Sequence, residues 1–158
     1  MSWFKKKSKL KMTGATLAEL LYRIYVKESD FNGNPNTYRI PQKFHGEFRS
    51  KVIIYRSAVV LAALIYKSRE NSVFQQALDE YECILLKLNH NTLDCIRVAT
   101  LDLGIIITPS DDPNLRWSQK WFVGIGYNEV DPIAWGAFTM SWMHLYIAAH
   151  DSISAMVE

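Results

Sequence analysis

Residues 52–66, VIIYRSAVVLAALIY, decide the fold class. A helix drawn through them is apolar on every side, interrupted only by Arg56 and Ser57, whereas a surface helix carries a single apolar stripe. Residues 133–149, IAWGAFTMSWMHLYIAA, have the same character. Helices apolar all round must be enclosed by protein or by lipid. A chain of 158 residues has the length of one domain, with enough chain to enclose two such helices by others. The expected architecture is therefore all-α: a single-domain bundle of about five main helices. Two of these, at about 46–69 and 132–150, are central and almost wholly apolar.

Lipid is the less fitting enclosure. Residues 132–150 run without a permanent charge, but include Pro132, Gly136, Thr139, Ser141 and His144, and no Lys or Arg follows to orient an insertion. The 52–66 run is too short to span, and Arg56 sits inside it.

Outward from these two segments, the remaining helices follow from spacing and caps. Thr13 is placed to cap a first helix in which Leu17, Leu20, Leu21, Ile24 and Tyr25 recur at helical intervals and which fades near Ser29. Residues 29–44 contain N-G-N-P-N and Pro41 and read as a long loop. Ser72, with Gln75 three residues on, has the capping-box pattern and opens a third helix. Its inner side holds Phe74, Leu78, Tyr81, Leu85 and Leu88; Gln76, Asp79, Glu80, Glu82 and Lys87 lie opposite. Asn89, His90 and Asn91 break it. A fourth helix starts at Thr92 with Leu93, Ile96, Ala99, Leu103 and Ile106 inward, and ends before Pro109. Residues 116–128 read as irregular or briefly helical, with Trp117 and Trp121 one turn apart. Asp131 followed by Pro132 is a strong start signal for the fifth helix.

Charge divides the chain unequally. Five of the 18 basic residues fall in the first twelve, leaving 13 against 16 acidic residues, a net of −3 for the rest. From Trp121 to Glu158 there is no Lys or Arg. The body therefore lacks the basic face of a nucleic-acid binder. The domain reading is a basic flexible leader, 1–12, followed by one helical domain, 13–158. Trp3 and Phe4 with Lys5, Lys6 and Lys7 suit loose contact with an anionic membrane surface. Cys83 and Cys95 lack the spacing of a disulfide framework or a redox motif and read as small hydrophobes in helices. Without a secretory h-region or a common lipidation signal, the expected setting is cytoplasmic, with the membrane surface as an alternative.

Arg56 is the most informative single residue. A guanidinium keeps its charge, so burying it requires an anionic partner. Asp102, Asp131 or Asp151 could supply one internally; alternatively Arg56, with Arg49 seven residues earlier on the same face, forms a site for a carboxylate or phosphate. His144 and Asp151 are also seven apart and share a face of the fifth helix. His144 reads as a hydrogen-bonded core residue near Thr139 or Ser141, or as a general base facing a cavity with Asp151 as its orienter. The four histidines, His45, His90, His144 and His150, have no partner at metal-ligand spacing, so no metal is expected. No phosphate-cradling or nucleophile motif is present, and no cofactor is expected.

The last third is rich in aromatics: Trp117, Trp121, Phe122, Trp135, Phe138, Trp142 and Tyr146. Trp135, Phe138, Trp142 and Tyr146 form one helical stripe, suited to a core or to a partner surface. The preferred functional reading is a non-enzymatic helical interaction or assembly factor, binding a protein partner or a second copy through this aromatic third. The alternatives are a small-molecule or anion binder, or an enzyme, with a cavity near Arg56 and His144, and a peripheral membrane protein held by its leader.

Overall fold

The computed structural model describes residues 11–30, 33–88, 126–127 and 132–157, the side chains of 132, 134, 135, 139 and 157 excepted. The fold is all-α, with four long helices packed together and no strand among the described residues. The expected fourth helix, from Thr92, and the irregular stretch before Gly126 lie outside the described residues.

Helix α1 (Gly14–Tyr22) starts where Thr13 caps it, the threonine hydroxyl accepting from the Thr16 amide at 3.2 Å. Leu17, Ala18 and Leu21 are buried. The chain runs on into a π-helical turn (Arg23–Lys27), closed by the Glu28 amide donating to the Arg23 carbonyl at 2.9 Å. A π turn holds one residue more than an α turn. The extra residue shifts the inward face, so Val26 is buried and Ile24, expected inside, is exposed. The Tyr25 hydroxyl reaches the last helix, donating to the Ala148 carbonyl at 3.2 Å and pairing with the Ser152 hydroxyl.

Helix α2 (His45–Lys67) is the centre of the bundle. Residues 57–64 are all buried, two full turns enclosed on every side, as the apolar run requires. Val60, Leu61 and Leu64 pack with α1 and with helix α3 (Ser72–Leu88); Phe48, Val52 and Val59 belong to a second cluster with Tyr38, Ile40, Phe138, Trp142 and Leu145. Lys67 closes α2 on the carboxylate of Glu70, at 3.1 and 3.2 Å.

Helix α3 is amphipathic as its spacing implies, with Phe74, Ala77, Tyr81 and Leu85 buried, but Leu88 is exposed. Its cap is Asn71, not Ser72. The Asn71 carboxamide oxygen accepts from the Phe74 amide at 2.9 Å, and its carbonyl from the Gln75 amide at 3.2 Å. Cys83 is exposed on this helix instead of packed inside it.

Helix α4 (Pro132–Val157) extends the expected segment to about 39 Å, at the usual rise per residue. It buries one stripe: Phe138, Trp142, Leu145, Ala149 and Ile153, at steps of four, three, four and four. Its opposite side is exposed and largely apolar, Ile133 at 72%, Met140 at 59%, Met143 at 44% and Ile147 at 51%, with His144 and Asp151 exposed among them. Unlike α2, this apolar helix is covered on one face. No helix of the described residues is long and apolar enough to cross a membrane.

Residues 33–44, expected as loop, are folded onto the bundle. Two short 3-10 turns (Pro35–Tyr38 and Gln42–Phe44) carry the chain across the end of α2. Asn34 caps the first, its carboxamide oxygen accepting from the Asn36 amide at 3.0 Å. Arg39 takes a left-handed conformation (φ 53°) that ends it. Pro35, Tyr38 and Ile40 are buried, and the Tyr38 ring meets Phe138 edge-on at 5.1 Å. His45 holds the end of the segment through its Nε2, 2.7 Å from the Ile40 carbonyl. N-G-N-P-N does mark turns, but hydrophobic burial of Tyr38 and Ile40 fixes the path of the chain beyond them.

Candidate functional site

Where α1 gives way to the folded segment, a cavity of about 360 Å³ opens against α2. Arg49, Val52, Ile53 and Arg56 line it from the helix. Their spacing of three, one and three residues sets them on one face. Ser29, Asp30, Gly33 and Asn34 line it from the other side. The Gly33 amide donates to the Asp30 carbonyl at 3.2 Å, a tight turn that brings this backbone up to α2. The approach is close: a Cβ on Gly33 would stand 3.0 Å from Nη2 of Arg56.

The lining is polar and unequal in charge. Two guanidinium groups face one carboxylate. Arg56 is 5% exposed, while Arg49 and Asp30 are exposed. Desolvation pulls the Arg56 pKa below its ordinary value, opposed by the charge of Asp30 and by Tyr38. Tyr38, buried in the neighbouring aromatic cluster, is close enough for its charge state to be felt by the same guanidinium. Burial pushes its phenol up, countered by a hydrogen bond with the Ser141 side chain and by the charge of Arg56. Through Ser141, Tyr38 ties the folded segment to α4. Asn34 uses its carboxamide oxygen on the backbone of Asn36, so what it can offer a ligand is the amide donor.

The structure therefore joins Arg49 and Arg56 at one cavity, as their spacing implies. The acid beside Arg56 is Asp30. Of the expected internal partners, Asp151 sits exposed on α4 next to His150, 3.3 Å from its Nδ1, and Asp102 and Asp131 lie outside the described residues. His144 is exposed on α4 and does not line the Arg56 cavity. With Asp151 placed at His150, the paired base and orienter expected of His144 and Asp151 is not formed. The reason is α4's phase: its inward positions are taken by Phe138, Trp142, Leu145 and Ala149, which leaves position 144 outside.

Trp142 is likewise corrected from partner surface to core. It is almost fully buried, with its ring 5.9 Å from Tyr55 and 5.5 Å from Phe138. Trp117 and Trp121, the leader residues Trp3, Phe4, Lys5, Lys6 and Lys7, and the side chain of Trp135 lie outside the described residues. Among the described residues, no cluster of His, Cys, Asp and Glu is arranged to hold a metal ion.

Asp30, Gly33 and Asn34 are the site residues that sequence reasoning passed over. Their only local signal was the turn chemistry of N-G-N-P-N, which says that the chain bends and not what it bends toward. Chemically, the cavity offers charge-assisted donors and no His or Cys, an arrangement for holding a ligand. The chain matches no family model, no curated protein and no solved structure.

Proposed function

We propose that this chain is a non-enzymatic helical interaction protein that presents the outer face of α4 to a partner's amphipathic helix. One observation carries the reading: Ile133, Met140, Met143 and Ile147 are exposed on the side of α4 opposite its buried stripe. Surface apolar residues scattered singly need no explanation, but a contiguous apolar face suits association. From Ile133 to Ile147 the face runs about 21 Å, roughly four helical turns, a length that suits helix-on-helix docking. Methionines make such a face adaptable to its partner. Tyr66, 61% exposed and stacked 5.5 Å from His150, extends the apolar surface to the end of α2. The aromatic third of the sequence thus serves this reading through its aliphatic residues and methionines, while Phe138 and Trp142 hold the helix in place.

A cytoplasmic setting and an assembly or regulatory role belong to the same proposal; a second copy is the simplest alternative occupant. The test is photo-crosslinking in cells from a benzoylphenylalanine at position 140 or 147. A discrete adduct from these positions, absent from position 79 on the outer side of α3 and abolished by Met140→Glu with Ile147→Glu, supports the proposal. The adduct's mass separates a partner from a second copy. No adduct from 140 or 147 overturns it.

A further inference from the structure

We propose that the cavity between α2 and residues 29–34 is a binding site for an oxyanion, the carboxylate or phosphate group of a small ligand. Three features of the site converge on this. Arg49 and Arg56 line one wall together, two positive charges against the single carboxylate of Asp30, in a chain whose body is otherwise net acidic. A guanidinium presents five N–H donors in a planar fork whose geometry suits carboxylate and phosphate oxygens. Arg56 itself is nearly buried, so the field at its donors is screened far less than at a surface arginine.

The second feature is how the guanidinium is held. Gly33 lets backbone come close to Nη2, where a Cβ would press on it. A positioned arginine loses less conformational freedom on binding than a mobile one. Third, the cavity is mixed in depth. Val52 supplies a buried apolar floor, while Arg49 and Asp30 stand exposed at the mouth. A ligand of about this size would seat its anionic group on Arg56, meet Arg49 at the rim, and lay its remaining atoms on Val52 and Ile53. Asn34 adds a neutral donor. Asp30 then acts as the competitor: its negative charge on the same cavity opposes any anion that enters.

That last role gives the proposal a sign that a purely structural site would not share. Removing Asp30's charge should tighten anion binding; removing Arg49's should weaken it. The experiment uses the full chain in chloride buffer at fixed ionic strength, titrated with inorganic phosphate and, separately, with succinate, and read by calorimetry and by thermal midpoint. Saturable binding of either probe is expected, weakened about tenfold or more by Arg49→Gln, as the loss of one charge-assisted hydrogen bond implies, and tightened by Asp30→Asn. Phosphate alone binding assigns a tetrahedral headgroup; succinate alone assigns a carboxylate. Arg56→Met should abolish binding of both. If Arg56→Met does not fold, Arg49→Gln and Asp30→Asn still decide, since both residues are exposed. No saturable binding of either probe, or equal affinity in the parent, Arg49→Gln and Asp30→Asn proteins, overturns the proposal.

Discussion

The amide of Gly14, the first residue of α1, donates to Oε1 of Gln76 on α3 at 3.2 Å, and a Cβ at Gly14 would lie 2.7 Å from the backbone nitrogen of Ala77. Two helices thus touch backbone to backbone at a point that only glycine leaves open. Gly14→Ala forces α1 away from α3, and is expected to destabilise the fold by about 1–3 kcal/mol, the range for overpacking a close contact. Urea denaturation of the variant checks this. Gln76→Ala, which removes the acceptor and adds no atoms, should cost about 1 kcal/mol.

The start of α3 distinguishes two adjacent cap residues. Because the Asn71 side chain accepts from the Phe74 amide, Asn71→Ala is expected to cost about 1 kcal/mol. Ser72→Ala should stay within about 0.5 kcal/mol, as an exposed first-turn substitution. Equal losses at both positions would contradict the assignment.

Arg56→Met should leave the fold within about 1 kcal/mol of the parent, in spite of the depth of the arginine. Removing a buried charge is costly when an opposite charge is left buried; the carboxylate lining the same cavity, Asp30, is exposed to water. A loss of folding would mean that Tyr38 and its hydrogen bond with Ser141 depend on the guanidinium for their placement.

Alkaline pH is expected to unfold the protein through its tyrosines. Burial raises the phenols of Tyr38, Tyr81 and Tyr146 above the ordinary 10.0, Tyr81 most of all, where the hydroxyl donates to the Ser57 carbonyl at 3.2 Å. A phenol raised in the folded state keeps its proton where the unfolded chain has lost it. Its stabilising effect is therefore complete below pH 10.0 and falls as pH rises past it. Tyr81→Phe should lose about 1 kcal/mol at neutral pH, and flatten the decline above pH 10.0. Thermal midpoints across that range provide the check.

The two faces of α4 should respond oppositely to truncation. Trp142→Ala opens the core and is expected to cost about 3–5 kcal/mol. Met140→Ala, on the exposed side, should change stability by less than about 0.5 kcal/mol while weakening association.

The sequence made α2 legible because enclosure is written into contiguous residues: no stripe can be drawn through AVVLAALI, and every one of those positions except Ile65 is buried. α4 looked alike for the opposite reason. Its exposed side is also largely apolar, so periodicity cannot say which side is covered: Trp142 fits a core or a partner surface, and His144 a core or a cavity. Arg56 was conspicuous as a charge in an apolar run, and Arg49 followed from helical spacing. Asp30 and Gly33 were not, because they reach the arginine through the packing of Tyr38 and Ile40, a tertiary fact without a local pattern. Asn71 and Ser72 are both good cap residues, and only the backbone conformation chooses between them.

The wide turn at Arg23–Lys27 bears on how this chain can change in length. Losing a residue from an ordinary helix rotates everything beyond it by about 100° and turns buried side chains outward. Here Leu21 and Val26 face the core five positions apart, and dropping the exposed Ile24 would leave them four apart, the native interval of an α-helix. Both flanks would keep their phase. Helix α1 and its continuation therefore carry one supernumerary residue, and a single-codon deletion there should be tolerated where one inside α2 would not.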